Sequence, residues 1–223
     1  MAPRPQPDRI AALAALDDPT RRAVFDLVAH RATPVSRDAA AEALGTTRRV
    51  AAFHLDRLAD QGLLAVEYRR PPGRSGPGAG RPAKLYRRIE DEIAVSVPPR
   101  HYDLVGELLA AAVTESINTG AAVQQVLDRT AYQAGRTTGA AAGTLLAALE
   151  DAGYEPHGDD RDGALILRNC PFHRLARQFT ALVCGVNLQL LRGVADGAGD
   201  ATRTVILDPS PGRCCVRLEP PAH

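Results

Sequence analysis

Across residues 36–64 the apolar and polar positions follow the period of an α-helix twice, with a short interruption between the two stretches. The first helix is predicted to start after Ser36, whose hydroxyl suits an N-cap. Its predicted buried stripe consists of Ala39, Ala40, Ala43 and Leu44. Gly45 is expected to end this helix, because glycine adopts the left-handed conformation at a helix C-terminus without steric cost.

The second helix is predicted to follow a cap at Thr46 or Thr47 and to end at Gly62. Arg48 and Arg49 lie at its exposed leading end. The buried residues expected in and directly after it are Val50, Leu55, Leu58, Leu63 and Leu64. Two short helices joined by a glycine-containing turn are typical of a helix-turn-helix, whose second helix enters the major groove of DNA.

The flanking segments predict a winged helix around this pair. Helices are expected at residues 8–16 and 20–29, after a Pro-rich stretch, residues 1–7, that we expect to be disordered. Downstream, the sequences AVEYRR and KLYRRI predict two strands. The loop PPGRSGPGAGRPA joins them and is too rich in Gly and Pro to hold a fixed structure alone.

This arrangement predicts which residues contact double-stranded DNA. The candidates are Thr47, Arg48, Arg49, His54, Arg57, Arg69, Arg70, Arg74, Arg81 and Lys84. Arg48 and Arg49 are expected to read bases, because arginine pairs bidentately with guanine, whereas Arg57 is expected to meet the backbone. His54 is either a phosphate contact or a surface packing residue. The basic loop suits phosphate contacts or a minor groove.

The segments DPTRRAVFDLV and LGTTRRVAAFHLDRLADQGLL, followed by the basic wing, resemble the ArsR-like branch of bacterial winged-helix repressors over residues 8–90. The resemblance implies a transcriptional repressor. Such repressors usually bind as homodimers, since two recognition helices must reach half-sites about 34 Å apart.

The distribution of charge agrees with a basic DNA-binding half. Residues 1–90 hold 16 Lys and Arg against 10 Asp and Glu, whereas residues 91–223 hold 11 against 16. The overall net charge of +1 is therefore the sum of a basic first half and an acidic second half. A basic DNA-binding half is expected, because its positive charges neutralise DNA phosphates. No apolar run approaches the roughly 20 residues of a membrane span, and no signal peptide is visible, so we expect a cytoplasmic protein without a membrane partner.

Beyond Pro98 and Pro99 the pattern predicts helices over residues 101–118 and 119–152. The first of these is the candidate dimer helix. Gly135, Gly139 and Gly143 recur every four residues, which indicates either a close approach of another helix or a break in this one.

From residue 153 onward the pattern changes to short strands and one helix. Hairpins are predicted at residues 154–157 with 164–169 and at 204–207 with 214–218, around a helix over residues 173–194. The predicted fold is mostly α with an α+β C-terminal domain. Its domains are a winged helix-turn-helix (8–97), a helical dimerisation or linker region (98–152) and an α+β effector domain (153–223).

All four cysteines fall in this last region, at Cys170, Cys184, Cys214 and Cys215. None forms a C-x-x-C pair, and structural disulfides are not expected in a reducing compartment. Because neighbouring residues on a strand face opposite ways, only one of Cys214 and Cys215 is expected to point at a shared centre. Three thiolates, with His173 as a fourth ligand, suit zinc or an iron–sulfur cluster.

The segments NCPFHRLA, LVCGVNLQLL and RCCVRL, behind an ArsR-like winged helix, resemble the SufR-type iron–sulfur-responsive repressors. In that family three cysteines hold a 4Fe–4S cluster that controls repression. The resemblance implies Cys170, Cys184 and one of Cys214 or Cys215 as ligands, with Cys214 favoured.

Two alternatives remain beside cluster sensing. The cysteines are inert core residues, as unpaired thiols often are, or the regulator answers to zinc or a small organic ligand. An enzyme is not expected: the six histidines show no HxxxH or HExxH spacing, and no nucleophile stands beside a base in the sequence.

Overall fold

The computed structural model describes residues 6–70, 82–89, 92–200 and 202–220. The chain divides into two compact units, Met1–Val95 and Ser96–His223. Each unit has its own hydrophobic core. The predicted layout, a helix-turn-helix region followed by helices and a small sheet-containing region, is confirmed. None of the described helices is long and apolar enough to cross a membrane.

Four α-helices lie within the described residues of the first unit. They are α1 (Gln6–Ala14), α2 (Pro19–Ala29), α3 (Arg37–Ala43) and α4 (Arg48–Asp60), with a 3-10 turn at Ala15–Asp17. Helix α1 starts two residues earlier than predicted, so Asp8 lies in its first turn. Of the stretch expected to be disordered, Gln6 and Pro7 therefore belong to a helix, and residues 1–5 lie outside the described residues.

Side-chain caps determine where three of these helices begin. Asp18, Ser36 and Thr47 each accept a hydrogen bond from the backbone nitrogen three residues later, at 2.8, 3.1 and 3.3 Å. Thr47, and not Thr46, is thus the cap of α4. Gly45 has a φ of +61°, which confirms its predicted role between α3 and α4.

A three-stranded antiparallel sheet completes the winged helix. Its strands are β1 (Val35–Ser36), β2 (Leu64–Arg69) and β3 (Ala83–Arg88), in the order β1-β3-β2. The two predicted wing strands are confirmed, and Tyr68 pairs with Lys84. Strand β1 has only two residues, too few for a periodic pattern to reveal it.

The core of the first unit corrects two details of the predicted burial. Helix α3 buries Ala40 and Ala41, while Ala39 and Ala43 are exposed. On α4, Leu55 and Leu58 are fully buried, but Val50 is 37% exposed. The buried faces of α3 and α4 are therefore rotated slightly about the helix axes from the faces predicted from the apolar residues.

The second unit contains five helices and four strands within the described residues. The helices are α5 (Tyr102–Thr119), α6 (Val123–Ala142), α7 (Leu145–Asp151), α8 (His173–Gln178) and α9 (Thr180–Gly197). The strands are β4 (Pro156–Gly158), β5 (Leu165–Leu167), β6 (Thr204–Leu207) and β7 (Val216–Glu219), paired antiparallel in the order β4-β5-β7-β6.

Two predicted helices are each divided in two. The helix expected over 119–152 breaks at Gly143, where φ is +76°. The helix expected over 173–194 breaks at Phe179 and continues to Gly197. The predicted separation of a linker region (98–152) from an effector domain (153–223) is wrong, because α5, α6 and α7 share one hydrophobic core with α9 and the sheet.

Glycines bring α6 and α9 into backbone contact. A Cβ atom at Gly135 would lie 1.9 Å from the carbonyl oxygen of Leu190, and one at Gly193 would lie 2.0 Å from that of Tyr132. Both alternatives drawn from the glycine spacing therefore apply: Gly135 and Gly139 permit a close approach, and Gly143 is a break.

Candidate nucleic-acid interface and cysteine site

The outward face of α4 carries a stripe of exposed side chains. Arg49, Phe53 and Arg57 follow one another at four-residue spacing, opposite the buried Leu55 and Leu58. Phe53 is 64% exposed, although a large aromatic side chain is normally buried in a unit of this size. Phe53 was not predicted from the sequence. Its position four residues after Arg49, and so on the same face of the helix, could have indicated it. An exposed aromatic side chain in the major groove can contact thymine methyl groups.

The residues that lead α4 have other partners in the free protein. The hydroxyl of Thr47 accepts the capping hydrogen bond, and the Nε of Arg48 lies 2.7 Å from Oδ1 of Asp38. Both partners of this ion pair are largely exposed, so the pair is weak and a phosphate can replace the carboxylate. Arg49 is exposed and stays the stronger candidate for base contacts.

His54 is buried, which argues against both interpretations offered for it, a phosphate contact and a surface packing residue. Its side chain is 93% buried, on the face of α4 that packs into the first unit. Its Nδ1 atom has no hydrogen-bond partner within the described residues. The preceding Phe53 packs edge-on against its ring at 5.2 Å between centroids.

Lys84 belongs to an internal ionic network centred on Asp56. Lys84 and Tyr86, both from β3, each donate a hydrogen bond to Oδ1 of Asp56 at 2.6 Å. Arg37 from α3 donates to Oδ2 at 2.5 Å. Burial alone would raise the pKa of Asp56, but these three donors outweigh it and hold the pKa at about 2. The network fastens α4 to α3 and to the wing, so Lys84 is a poor candidate for a DNA contact.

The wing contributes exposed arginines at its base. Arg70 is exposed, and the guanidinium of Arg69 lies 2.8 Å from Glu67 on the same strand. Arg74 and Arg81, both predicted to contact DNA, lie outside the described residues.

The four cysteines of the second unit come from three separate segments that meet beside α9. Cys170 precedes α8, Cys184 lies on α9, and Cys214 and Cys215 lie in the turn before β7. Cys170, Cys184 and Cys214 are buried, and Cys215 is half-buried. Sequence spacing alone did not place them together.

The four thiols, called the row here, lie close enough to one another to affect each other's ionisation. Cys214 interacts with Cys170 and with Cys215, and Cys215 also interacts with Cys184. The hydrogen bond from Cys214 lowers the pKa of Cys170, and it lowers that of Cys215 to about 6. Bonding to those two partners raises the pKa of Cys214, and burial raises that of Cys184 to about 12. The row thus combines two thiols whose pKa is lowered with two whose pKa is raised.

A buried amide completes the surroundings of the thiols. Nδ2 of Asn187, on α9, donates to Sγ of Cys214 at 3.1 Å, and Oδ1 of Asn187 accepts from the Tyr154 hydroxyl at 2.5 Å. Both Asn187 and Tyr154 are 1% exposed. Sequence analysis missed both, since an isolated asparagine in an apolar helix carries no motif.

Two predictions about the ligands need correction. Cys214 and Cys215 precede β7, so strand alternation does not separate them, and both join the row. The side chain of His173 is exposed, unlike the three buried thiols. Among the described residues, no three His, Cys, Asp or Glu side chains already stand in metal-binding geometry. The thiols must therefore shift before they can coordinate a metal together.

Residues 16–67 match the family model described as a helix-turn-helix domain. No curated protein and no solved structure matches the chain significantly. The matched segment includes α2, α3 and α4 and reaches into β2. The helix that presents Arg49, Phe53 and Arg57 therefore lies in a helix-turn-helix domain, the domain of a DNA-binding regulator.

Proposed function

We propose that this protein is a transcriptional repressor whose binding to operator DNA is controlled by an iron–sulfur cluster at the four-cysteine row. The observation that carries the proposal is the meeting of four thiols, distant in sequence, in one mostly buried place. The helix-turn-helix domain supplies the DNA-binding part.

The donor set fits an iron–sulfur cluster. Thiolates are the usual ligands of such clusters, and hydrogen bonds to the ligand sulfurs adjust their potential. Cys170, Cys184, Cys214 and Cys215 would hold the cluster, which would supply a redox-sensitive and oxygen-sensitive centre. Cys215 replaces His173 as the favoured fourth ligand because Cys184 and Cys214 lower its pKa and so lie near it, whereas His173 is exposed. Asn187 would donate a hydrogen bond to Cys214 both with and without the cluster.

Zinc is the alternative cofactor, and one observation favours it. The thiols act on one another's pKa values and so lie near each other, and a single tetrahedral ion needs its four thiolates closer than a cluster does. A zinc site would hold the same segments together without redox sensitivity.

The proposed repressor is a homodimer formed through α5. Val113 and Ile117 of α5 are exposed, and Ile117 is 77% exposed. They lie on a different face of the helix from the buried Val105, Leu108 and Ala112. A second copy covering this face would bring two recognition helices to the two half-sites of one operator.

Reconstitution under anaerobic conditions tests the proposal. The purified chain is incubated with ferrous iron and sulfide, and iron, sulfide, zinc and visible absorption are measured. DNA affinity is then compared with and without the cofactor, on duplexes selected from a random library. We expect iron and sulfide in equal amounts, a visible chromophore and a change in affinity. Zinc without sulfide would favour the alternative, and a colourless, metal-free protein would refute both.

Single variants identify the ligands. Cys170→Ser, Cys184→Ser, Cys214→Ser and Cys215→Ser should each lose the chromophore while keeping cofactor-independent DNA binding. His173→Ala is the control and should keep the chromophore. Repression itself is tested by transcription in vitro, where the cofactor-loaded protein should reduce transcripts from a promoter that overlaps the selected operator.

A further inference from the structure

The segment that leaves the DNA-binding unit is fastened to the loop that carries Cys170. This segment, residues 96–102, is called the connector here; it follows Val95, the last residue of the first unit. The backbone nitrogen of His101 donates to the carbonyl of Pro171 at 3.2 Å. The backbone nitrogen of Arg174 donates to the Tyr102 hydroxyl at 3.4 Å. The connector therefore contacts residues just beyond Cys170.

Asn169, the residue directly before Cys170, makes the central contacts. Its Nδ2 donates to the carbonyls of Pro99, at 3.1 Å, and Gly153, at 2.6 Å. Its Oδ1 accepts a hydrogen bond from the guanidinium of Arg100. Asn169 is only 6% exposed, so its amide is buried and uses both donors and its acceptor on fixed partners.

We propose that Asn169 is a positioning residue that transmits the state of the cysteine site to the connector; this rests on the proposed cofactor-controlled function. One peptide bond joins Asn169 to Cys170, so a displacement of the Cys170 sulfur displaces the amide that holds Pro99 and Arg100. The sulfurs in the row must shift before they coordinate a metal, and Cys170 is the member next to the connector.

Hydrogen bonding makes this link stiff. A buried amide with three satisfied hydrogen bonds cannot rotate without leaving a donor or acceptor unpaired. The carbonyl of Gly153 gives Asn169 a third anchor, at the end of α7. The connector thus follows Asn169 rather than moving independently of it.

The variants for the test are Asn169→Ala, which removes all three contacts, and Arg100→Gln, which removes the guanidinium. Arg168→Gln is the matched control, because Arg168 is exposed and precedes Asn169 on the same loop. DNA affinity is measured for each full-length variant with and without reconstituted iron and sulfide. A typical coupling changes affinity about 5- to 150-fold.

We expect Asn169→Ala to bind wild-type amounts of iron and sulfide and to bind DNA without cofactor within about twofold of wild type. Its affinity ratio between the two states should fall towards one. Arg100→Gln should lower the ratio partly, and Arg168→Gln should leave it unchanged. If the ratio of DNA affinities with and without cofactor in Asn169→Ala equals that of the wild type, the inference is wrong. A drop in affinity that is equal in both states also overturns it, because that result shows only a structural role.

A second measurement does not need the cofactor. Hydrogen exchange of the connector amides and alkylation of Cys170 by iodoacetamide are followed by mass spectrometry in the metal-free protein. Asn169→Ala removes three hydrogen bonds and should accelerate both by at least about tenfold, because losing even one buried hydrogen bond has an effect of about that size. If only one rate changes, the two ends are not linked through Asn169. Failure of the wild type to bind any metal would refute the proposed function, and this second measurement would still decide on the link.

Discussion

The amide nitrogen of Asn187 lies 3.1 Å from the sulfur of Cys214 and donates a hydrogen bond to it, in a setting where both residues are almost fully buried. The other end of the same amide accepts from Tyr154. Asn187 thereby orients one thiol of the row from the middle of α9.

Replacing Asn187 by Leu should make the reduction potential of the reconstituted cluster more negative, because a hydrogen bond to a ligand sulfur favours the reduced, more negative state. The change also leaves the buried Tyr154 hydroxyl unpaired, at a cost of about 1–3 kcal/mol in the free energy of unfolding. A redox titration followed by absorption measures the first effect, and thermal unfolding measures the second.

Tyr154→Phe provides the control for Asn187. It removes the hydroxyl but keeps the donor to Cys214, so the potential should stay close to that of the wild type. The double variant Asn187→Leu with Tyr154→Phe should recover part of the lost stability while keeping the shifted potential. An unshifted potential in Asn187→Leu would show that this hydrogen bond does not act on a cluster.

Asp56 should hold the recognition helix in place. Asp56→Ala leaves Arg37, Lys84 and Tyr86 without their shared acceptor, and the free energy of unfolding of the first unit should fall by about 1–2 kcal/mol. The estimate is modest because about a third of the Asp56 side chain is exposed to screening solvent. Chemical denaturation monitored on the helices of this unit measures it, with the exposed Asp60→Ala as control.

The same carboxylate makes stability depend on pH at the acid end. The pKa of Asp56 is lowered from 3.8 to about 2, so the folded state favours the ionised form. This contribution is complete above pH 3.8 and is lost as the pH falls through about 2. Asp56→Asn should therefore flatten the acid limb of the stability curve. An acid limb identical to that of the wild type would mean that other carboxylates cause it.

The stripe on α4 should divide into base-reading and phosphate-binding positions. Arg49→Ala should weaken binding to the selected operator by about 1–3 kcal/mol and relax the sequence preference, because a bidentate arginine discriminates between bases. Arg57→Ala should weaken binding equally on all sequences and reduce the slope of affinity against salt by about one. Fluorescence anisotropy at several salt concentrations distinguishes the two.

Phe53→Ala should weaken operator binding without changing the salt slope, since the side chain is uncharged. Arg31→Ala removes a positive charge from an exposed site outside α4 and the wing, and serves as the control. If Arg31→Ala weakens binding as much as Arg49→Ala, then Arg49 contributes only its positive charge and makes no specific contact with a base.

The contact between α6 and α9 should not accept a methyl group. Gly193→Ala places a Cβ 2.0 Å from the backbone oxygen of Tyr132, so the helices must separate. We expect a loss of about 1–3 kcal/mol or more in the free energy of unfolding of the second unit. Gly185, on the same helix, has nothing within 4 Å of its Cβ position, and Gly185→Ala should stabilise by up to about 1 kcal/mol. Equal effects of the two changes would contradict the backbone contact.

The proposed dimer should depend on the exposed face of α5. Ile117→Arg should convert a dimer to a monomer in sedimentation velocity, because the charge would be buried unpaired in the interface. Leu146→Arg changes a comparably apolar exposed residue on α7 and should leave the dimer intact. A wild-type monomer at all concentrations would remove α5 as a dimer helix.

The amino-acid sequence by itself determined the helix-turn-helix, its cap at Ser36, a second cap at Thr46 or Thr47, the turn at Gly45 and the two wing strands. These features depend on neighbours a few residues apart, where helical or strand periodicity, caps and glycine conformation act directly. The two hairpins of the second unit were predicted for the same reason.

Only the tertiary structure decided what individual side chains do. In the folded protein Lys84 binds Asp56, His54 is buried and Phe53 is exposed. Folding also places Cys214 and Cys215 near Cys170 and Cys184. It also placed Asn169 between the connector and Cys170. These outcomes depend on the rotation of each helix and on contacts between residues up to 70 positions apart, which no local pattern encodes.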